Sequence, residues 1–146
     1  MNKHFTLLLF IGLAWGQGTI AVFDFDNINI SKSDAQILTD RLRTEIVQLK
    51  TFKVVERSKI NDLLKEQKFQ MSGCVEECLI EVGEMLGATS VITGSIGSIG
   101  LYYTINAQII NVTISEIENA ISYDSRYSIN DMLIKGMNAV ASQLMG

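Results

Sequence analysis

Cys74 and Cys78, in the stretch SGCVEECLIEV, are the only cysteines of the chain. Thiols this close can hold a metal, exchange electrons or form a staple. Zinc asks for four ligands, and the single histidine, His4, stands at the extreme N-terminus. Glu76, Glu77 and Glu81 would have to complete such a site, an unusual donor set. A redox pair has two intervening residues, not three. A structural disulfide is the favoured reading over these and over two free thiols, and the compartment bears on the choice. Asp24 and Asp26 flank Phe25, so on a strand both would lie on one face. Paired carboxylates can do acid–base work or bind a cation, but no nucleophile or basic partner can be placed beside them, and a polar strand end is the plainer reading. The run GSIGSIG, Gly94 to Gly100, resembles a phosphate loop, yet its glycines recur every three residues and no helix start follows. It reads as a hairpin bend.

The first residues supply the compartment. Lys3 and His4 precede an apolar run from Phe5 to Leu13, and Ala14-Trp15-Gly16 puts small residues at the positions a signal peptidase reads. The run is far shorter than the ~20 residues of a permanent membrane helix. We expect residues 1–16 to be a signal peptide and residues 17–146 a single periplasmic domain; the alternative is an ordinary buried N-terminal segment. No cysteine stands near the cut, so no lipid anchor is expected there. In an oxidising compartment Cys74 and Cys78 are expected to pair. Side chains four apart on a helix hold their Cβ atoms about 5–6 Å apart, whereas a disulfide wants about 3.8 Å. Cys74 should therefore sit just before a helix, with Gly73 letting the chain bend, and the small ring would contribute only about 2 kcal/mol.

The formal net charge is −4. An acidic exported domain is a poor binder of nucleic acid, which is held by phosphate neutralisation. Residues 32–68 hold nine Lys or Arg against six Asp or Glu, while residues 69–125 hold seven acidic residues and no Lys or Arg. These blocks either solvate helices or give opposed faces that orient a partner or a neighbouring subunit. Glu56-Arg57 is either an ion-pair patch at an interface or a strand-end pair that holds the next helix; a guanidinium such as that of Arg57 suits a bidentate carboxylate contact. Arg41 and Arg43 should face solvent, since Leu42 between them faces inward, and are candidates for the same interface. Tyr102, Tyr103, Tyr123 and Tyr127 read as strand aromatics, and any exposed subset, Tyr102 and Tyr103 foremost, would be a contact surface.

These residues must be placed by the elements around them. TIAVFDF (19–25) reads as a strand and DNINIS as a polar loop. Ser33 opens a capping box for a helix over 34–50, with Ala35, Leu38, Leu42, Ile46 and Leu49 on one face. FKVVE (52–56) is a second strand. Ser58 then caps a helix carrying Ile60, Leu63 and Leu64. A third helix, 75–87, turns Cys78, Val82, Met85 and Leu86 inward and stops at Gly87. The period then becomes two. TSVITGSIGSIG and YYTINAQIINV form strands that meet near Gly97–Gly100. Ile105, Ala107 and Ile109 share one face and Ile110 and Val112 the other, which requires a bulge or burial on both sides. AISYDSRYS is the last strand, and a helix over 129–145 carries Leu133, Met137, Val140 and Leu144. The order β-α-β-α-α-β-β-β-α predicts an α/β (α+β) domain: a mixed sheet of about five strands with about four helices packed on it.

Three stretches together, IAVFDFDN, LTDRLRTEIVQLKTFKVVERSKINDLLKEQ and GCVEECLIEVGEMLGATSVITGSI, closely resemble the curli assembly and transport component (CsgG) family. That fold is similar to the amino-terminal domain of TolB and to LpoB-type activators of penicillin-binding proteins. The resemblance runs from about Thr19 to Leu144. It implies a non-catalytic cell-envelope protein without cofactor, acting through envelope protein partners or as a homo-oligomeric ring. A membrane barrel would need further strands of about 9–11 alternating residues; here the connections are tight and the strand-like segments are needed for the core, so the soluble domain alone is expected.

Overall fold

The computed structural model describes residues 18–66 and 76–146. Its elements run β1 Thr19–Val22, β2 Asp26–Ile28, α1 Lys32–Gln48, β3 Lys53–Val54, α2 Arg57–Glu66, α3 Glu76–Met85, β4 Ser90–Ile99, β5 Tyr102–Asn111 and β6 Glu116–Arg126. A last helix, α4, is α-helical over Ile129–Asp131, π-helical over Met132–Gly136 and α-helical again over Met137–Met145. The sheet order is β3-β1-β4-β5-β6. β3, β1 and β4 are parallel, and β4, β5 and β6 form an antiparallel meander. The domain is thus the mixed α/β fold that the element order predicts, with one strand more. β2 pairs in parallel with the far half of β4, where the sequence reads as a polar loop.

β2 exists because the first strand does not run straight through. Ile20 and Val22 enter one core and Ala21 and Phe23 the other, yet Phe25, two residues after Phe23, returns to the first. Alternation breaks between Phe23 and Phe25. There the Phe25 N–H leaves the ladder and donates to Thr39 Oγ1 on α1, 3.3 Å away. The chain then rejoins β4 further along, with Asp26 opposite Ser95. Asp24 and Asp26 are separated by this break: Asp24 turns to an arginine and Asp26 is exposed.

Both faces of the sheet are packed. α1 and α4 cover one face, where Leu38, Leu42, Ile46, Met137, Val140 and Leu144 meet Ile20, Ile92, Ile96, Ile105 and Ile109. α2 and α3 cover part of the other, where Ile60, Leu64, Ile80 and Val82 meet Ala21, Phe23, Val91, Ile110 and Val112. The expected division of β5, Ile105, Ala107 and Ile109 against Ile110 and Val112, is therefore burial on two sides. A register shift also falls between Ile109 and Ile110.

Several local expectations are corrected. α1 is capped by Ser31, whose side chain accepts from the Asp34 N–H at 3.0 Å, rather than by Ser33. Leu49 follows the last helical turn and is exposed. The α2 helix starts at Arg57, with the Glu56 carbonyl accepting from Lys59 and Ile60, so Ser58 lies inside the first turn. Met85 is exposed, because α3 approaches the sheet through Gly83. A Cβ there would come within 2.6 Å of Val91, and that contact centres the buried face on Ile80 and Val82. Gly87 stops α3 as expected: it takes φ +72°, its N–H bonds to the Glu84 carbonyl and that of Ala88 to Gly83, a Schellman ending. In α4 the π turn adds a residue. Met132 and Met137, five apart, are both fully buried, whereas on a plain α-helix they would diverge by about 140°.

Candidate functional site

Two groups of side chains stand out. The first is a charged brace at the C-terminal end of β1. β1 hydrogen-bonds β3 only as far as Ile20, whose carbonyl accepts from Val55. The next carbonyl on that edge, Val22, would be left over; the Arg43 guanidinium from α1 donates to it. Buried carbonyls need a donor, and this one recruits a long side chain folded back over the strand end. Arg43 also bonds Asp40 at 2.7 Å, and Arg57 at the start of α2 bridges Asp40, at 3.1 Å, and Asp24. Burial lowers the pKa of Arg43, Asp40 opposes this, the neighbouring Arg57 adds to it and Asp24 opposes it again. The guanidinium remains charged, as arginine does in proteins. Two cations and two carboxylates thus neutralise one another while tying β1, α1 and α2 together.

Of the charged candidates, then, Arg43 is drawn inward and not solvent-facing, and Arg57 pairs with Asp24 and Asp40 and not with its neighbour Glu56. Glu56 is exposed. Arg41 lies along the α1 surface and bonds Glu45 at 2.9 Å. Glu45 is itself buried and accepts from Asn138 on α4 at 3.0 Å, which together with Arg41 holds its carboxyl below the usual range. Tyr102 and Tyr103 are divided by the strand period. Tyr103 packs against the main core and Tyr102 is exposed. Cys78 is half-buried in the first turns of α3; Cys74, and with it the expected pairing, lies outside the described residues, as do residues 1–16. Among the described residues no group of three or more His, Cys, Asp or Glu gathers to hold a metal, and no helix is long and apolar enough to cross a membrane.

The second group lies on the far half of the sheet face that α2 and α3 cover. The core on that face ends at Val91 and Ile110. Beyond them, by the pairing register, follow Thr93, Ser95, Gly97 and Ile99 on β4, and Gln108, Asn106, Thr104 and Tyr102 on β5. Ser122 and Asp124 continue the row on β6, and Asp26 and Ile28 on β2. Gln108 donates to Thr93 at 3.2 Å, and Ser122 and Asn106 share a 2.6 Å hydrogen bond, so the side chains form a hydrogen-bonded polar floor. No apolar cluster among the described residues covers it. At its outer end the β4–β5 turn, Gly100-Leu101, is ringed by exposed apolar side chains: Ile28, Ile99, Leu101, Tyr102 and Tyr127. A signal for this end was present in the sequence, since Ile99 and Leu101 put two aliphatic residues around a turn glycine, where polar residues are usual.

The family model for the curli production assembly/transport component CsgG matches residues 15–122. No curated protein matches the sequence. Among solved structures the fold is similar to the LpoB C-terminal domain from Salmonella enterica, with a TM-score of 0.64 and 15% identity over 76% of this chain and 84% of that one. It is similar to the lipoprotein GNA1162 from Neisseria meningitidis, at 0.65 and 10% over 88% and 94%. It is also similar to PelC from Paraburkholderia phytofirmans, solved as a dodecamer, at 0.52 and 10% over 88% and 82%.

Proposed function

The chain belongs to the CsgG family, curli production assembly/transport components of the cell envelope, and from that premise we propose that it is a non-enzymatic periplasmic module that works by protein contact. Its contact surface is the polar half-face of Thr93, Ser95, Thr104, Asn106, Gln108 and Ser122. The observation that carries this reading is that one half of one sheet face ends in hydrogen-bonding side chains, whereas the near half of β1, β4 and β5 on that face and the whole opposite core are packed by helices. Uncharged polar side chains on a rigid sheet suit an interface, where hydrogen bonds are matched and charges at the centre are few. Residues 1–16 are cleaved on export, and Cys74 pairs with Cys78 to fix the entry to α3. The test is capture from the envelope fraction with the wild-type chain and with Ser95→Arg and Ser122→Arg variants. A specific partner held by the wild type and lost by both variants supports the surface; equal capture by all three overturns it.

A second reading, a homo-oligomeric ring, has its own support. The similar PelC was solved as a dodecamer, and the two edges of this sheet come from the two charge blocks, β3 from the block rich in Lys and Arg and β6 from the acidic one. Edges of opposite sign favour head-to-tail contacts, which close into rings. Light scattering at high protein concentration that finds only monomer would remove it.

A further inference from the structure

We propose that the β4–β5 hairpin tip is a bilayer contact: Ile28, Ile99, Leu101, Tyr102 and Tyr127 dip into the headgroup–acyl boundary of a zwitterionic membrane, with Arg126 at the phosphate level. This stands apart from the protein contact proposed for the polar half-face and leaves that half-face free.

The five side chains are contiguous. Ile99 faces Tyr102 across the turn, Tyr102 faces Arg126 and Ile28 pairs with Gly97. The Tyr127 N–H donates to the Leu101 carbonyl at 2.8 Å. Their exposures lie between 47% and 71%. At the ~200 Å² a large side chain presents, that is a patch of roughly 600 Å², at the top of what a monomer ordinarily shows to water. It is still smaller than the roughly 800 Å² per partner of a stable protein interface. It is also a projection and not a groove, formed by a two-residue turn and the ends of four strands, so a soft phase can surround it where a rigid protein would need a matching pit.

The chemistry suits the headgroup–acyl boundary. Leu101 stands in the turn with Tyr127 bonded beside it, Ile99, Tyr102 and Arg126 lie side by side one register step back, and tyrosine rings prefer the headgroup level. Tyr127 is held at φ +68°, a left-handed conformation costly for an aromatic residue. Its ring lies under the Arg126 guanidinium at 4.6 Å, so backbone strain is spent on presenting a tyrosine to solvent. Among the described residues of β2, β4, β5 and β6 Arg126 is the sole cation, and Asp124 and Asp26 flank the patch. Attraction to anionic lipid therefore does not drive the contact; apolar burial does.

The test is co-flotation of the purified chain with phosphatidylcholine vesicles, comparing wild type, the double variant Ile99→Ser/Leu101→Ser, and Ile134→Ser, which removes an exposed isoleucine on α4 that is not one of the five tip residues. A leader left attached would carry all three equally, so the difference between them is the readout. The wild type is expected to float, with little dependence on salt or on added anionic lipid. The double variant should partition at least about tenfold less, and Ile134→Ser as the wild type does. Unchanged circular dichroism will establish that the variants are folded. Absence of flotation by the wild type, equal flotation of all three, or a tip variant that keeps vesicles and loses a captured protein would each overturn the proposal. The Ser95→Arg and Ser122→Arg variants, expected to float normally, separate its failure from that of the protein contact.

Discussion

Replacing Arg57 by alanine removes the one side chain that links the end of β1 to α1 from α2, and its cost can be estimated from the surroundings. The side chains of Arg57 and Asp24 are 19% and 28% exposed and that of Asp40 is 48% exposed. An exposed ion pair contributes about 0–1 kcal/mol, and breaking a fully buried one costs about 3–5 kcal/mol because a charge is left without a partner. The Arg57–Asp24 pair lies between these limits, at about 1.5 kcal/mol. Asp40 keeps Arg43 and loses only about 0.5 kcal/mol. The sum, about 2 kcal/mol, should lower the urea midpoint by about 1 M at a slope typical of this size. A double-mutant cycle with Asp24→Asn should return a coupling of about 1–1.5 kcal/mol, mostly retained in about 1 M salt, since a partly buried pair is poorly screened. Glu56→Ala, in contrast, should change stability by less than about 0.5 kcal/mol. A coupling to Asp24 under about 0.3 kcal/mol, or a Glu56→Ala loss as large as that of Arg57→Ala, would refute the brace and return Arg57 to the pairing its sequence neighbour suggests.

Four further outcomes follow from single contacts. Ser31→Ala should cost about 1 kcal/mol and Ser33→Ala almost nothing, measured side by side by thermal unfolding. Gly94→Ala should destabilise by about 3 kcal/mol or prevent folding, because its Cβ would meet the Asn106 carbonyl oxygen at 2.1 Å and the Phe25 ring at 2.8 Å. The Glu45 carboxyl, held down first by Asn138 and then by Arg41, has a folded pKa below its unfolded value. Its stabilisation is therefore present above about pH 4.5 and lost as the pH falls through the folded pKa; Glu45→Gln should flatten the acid limb of the stability profile. Burial, with a hydrogen bond to Asp131, raises the Tyr123 pKa, so that stabilisation is present below about pH 10 and lost as the pH rises through the folded value. A spectrophotometric titration should find one late tyrosine that Tyr123→Phe removes.

What the sequence revealed and what it hid differ in the range of the interaction responsible. The inward face of α1, Ala35, Leu38, Leu42 and Ile46, was legible because a helix repeats every 3.6 residues and the core rewards that repeat directly. The two-sided burial of β5 was legible for the same reason at period two, and the end of α3 because a left-handed glycine leaves a local signature at Gly87. The N-cap was not: Ser31 and Ser33 both offer a hydroxyl with a suitable residue three positions on, and only the path of the incoming chain makes Ser31 the cap and puts Ser33 in the first turn. β2 is three residues of polar edge strand, with no apolar alternation to announce it. In α4 the π turn brings Met132 to the face a regular helix would give to Leu133, and its neighbour Gly136 is small because a Cβ would lie 3.1 Å from the Tyr123 ring, a contact with β6 that no spacing within the helix encodes. The brace joins residues 17 and 33 positions apart, and a long side chain such as that of Arg43 can reach backward from a helix position that periodicity assigns to solvent. Among the described residues no helix packs on the polar half-face, and sequence expresses that only as the change from Val91 and Ile110 to Thr93 and Gln108 along two paired strands. That change becomes informative only once the register sets those residues side by side.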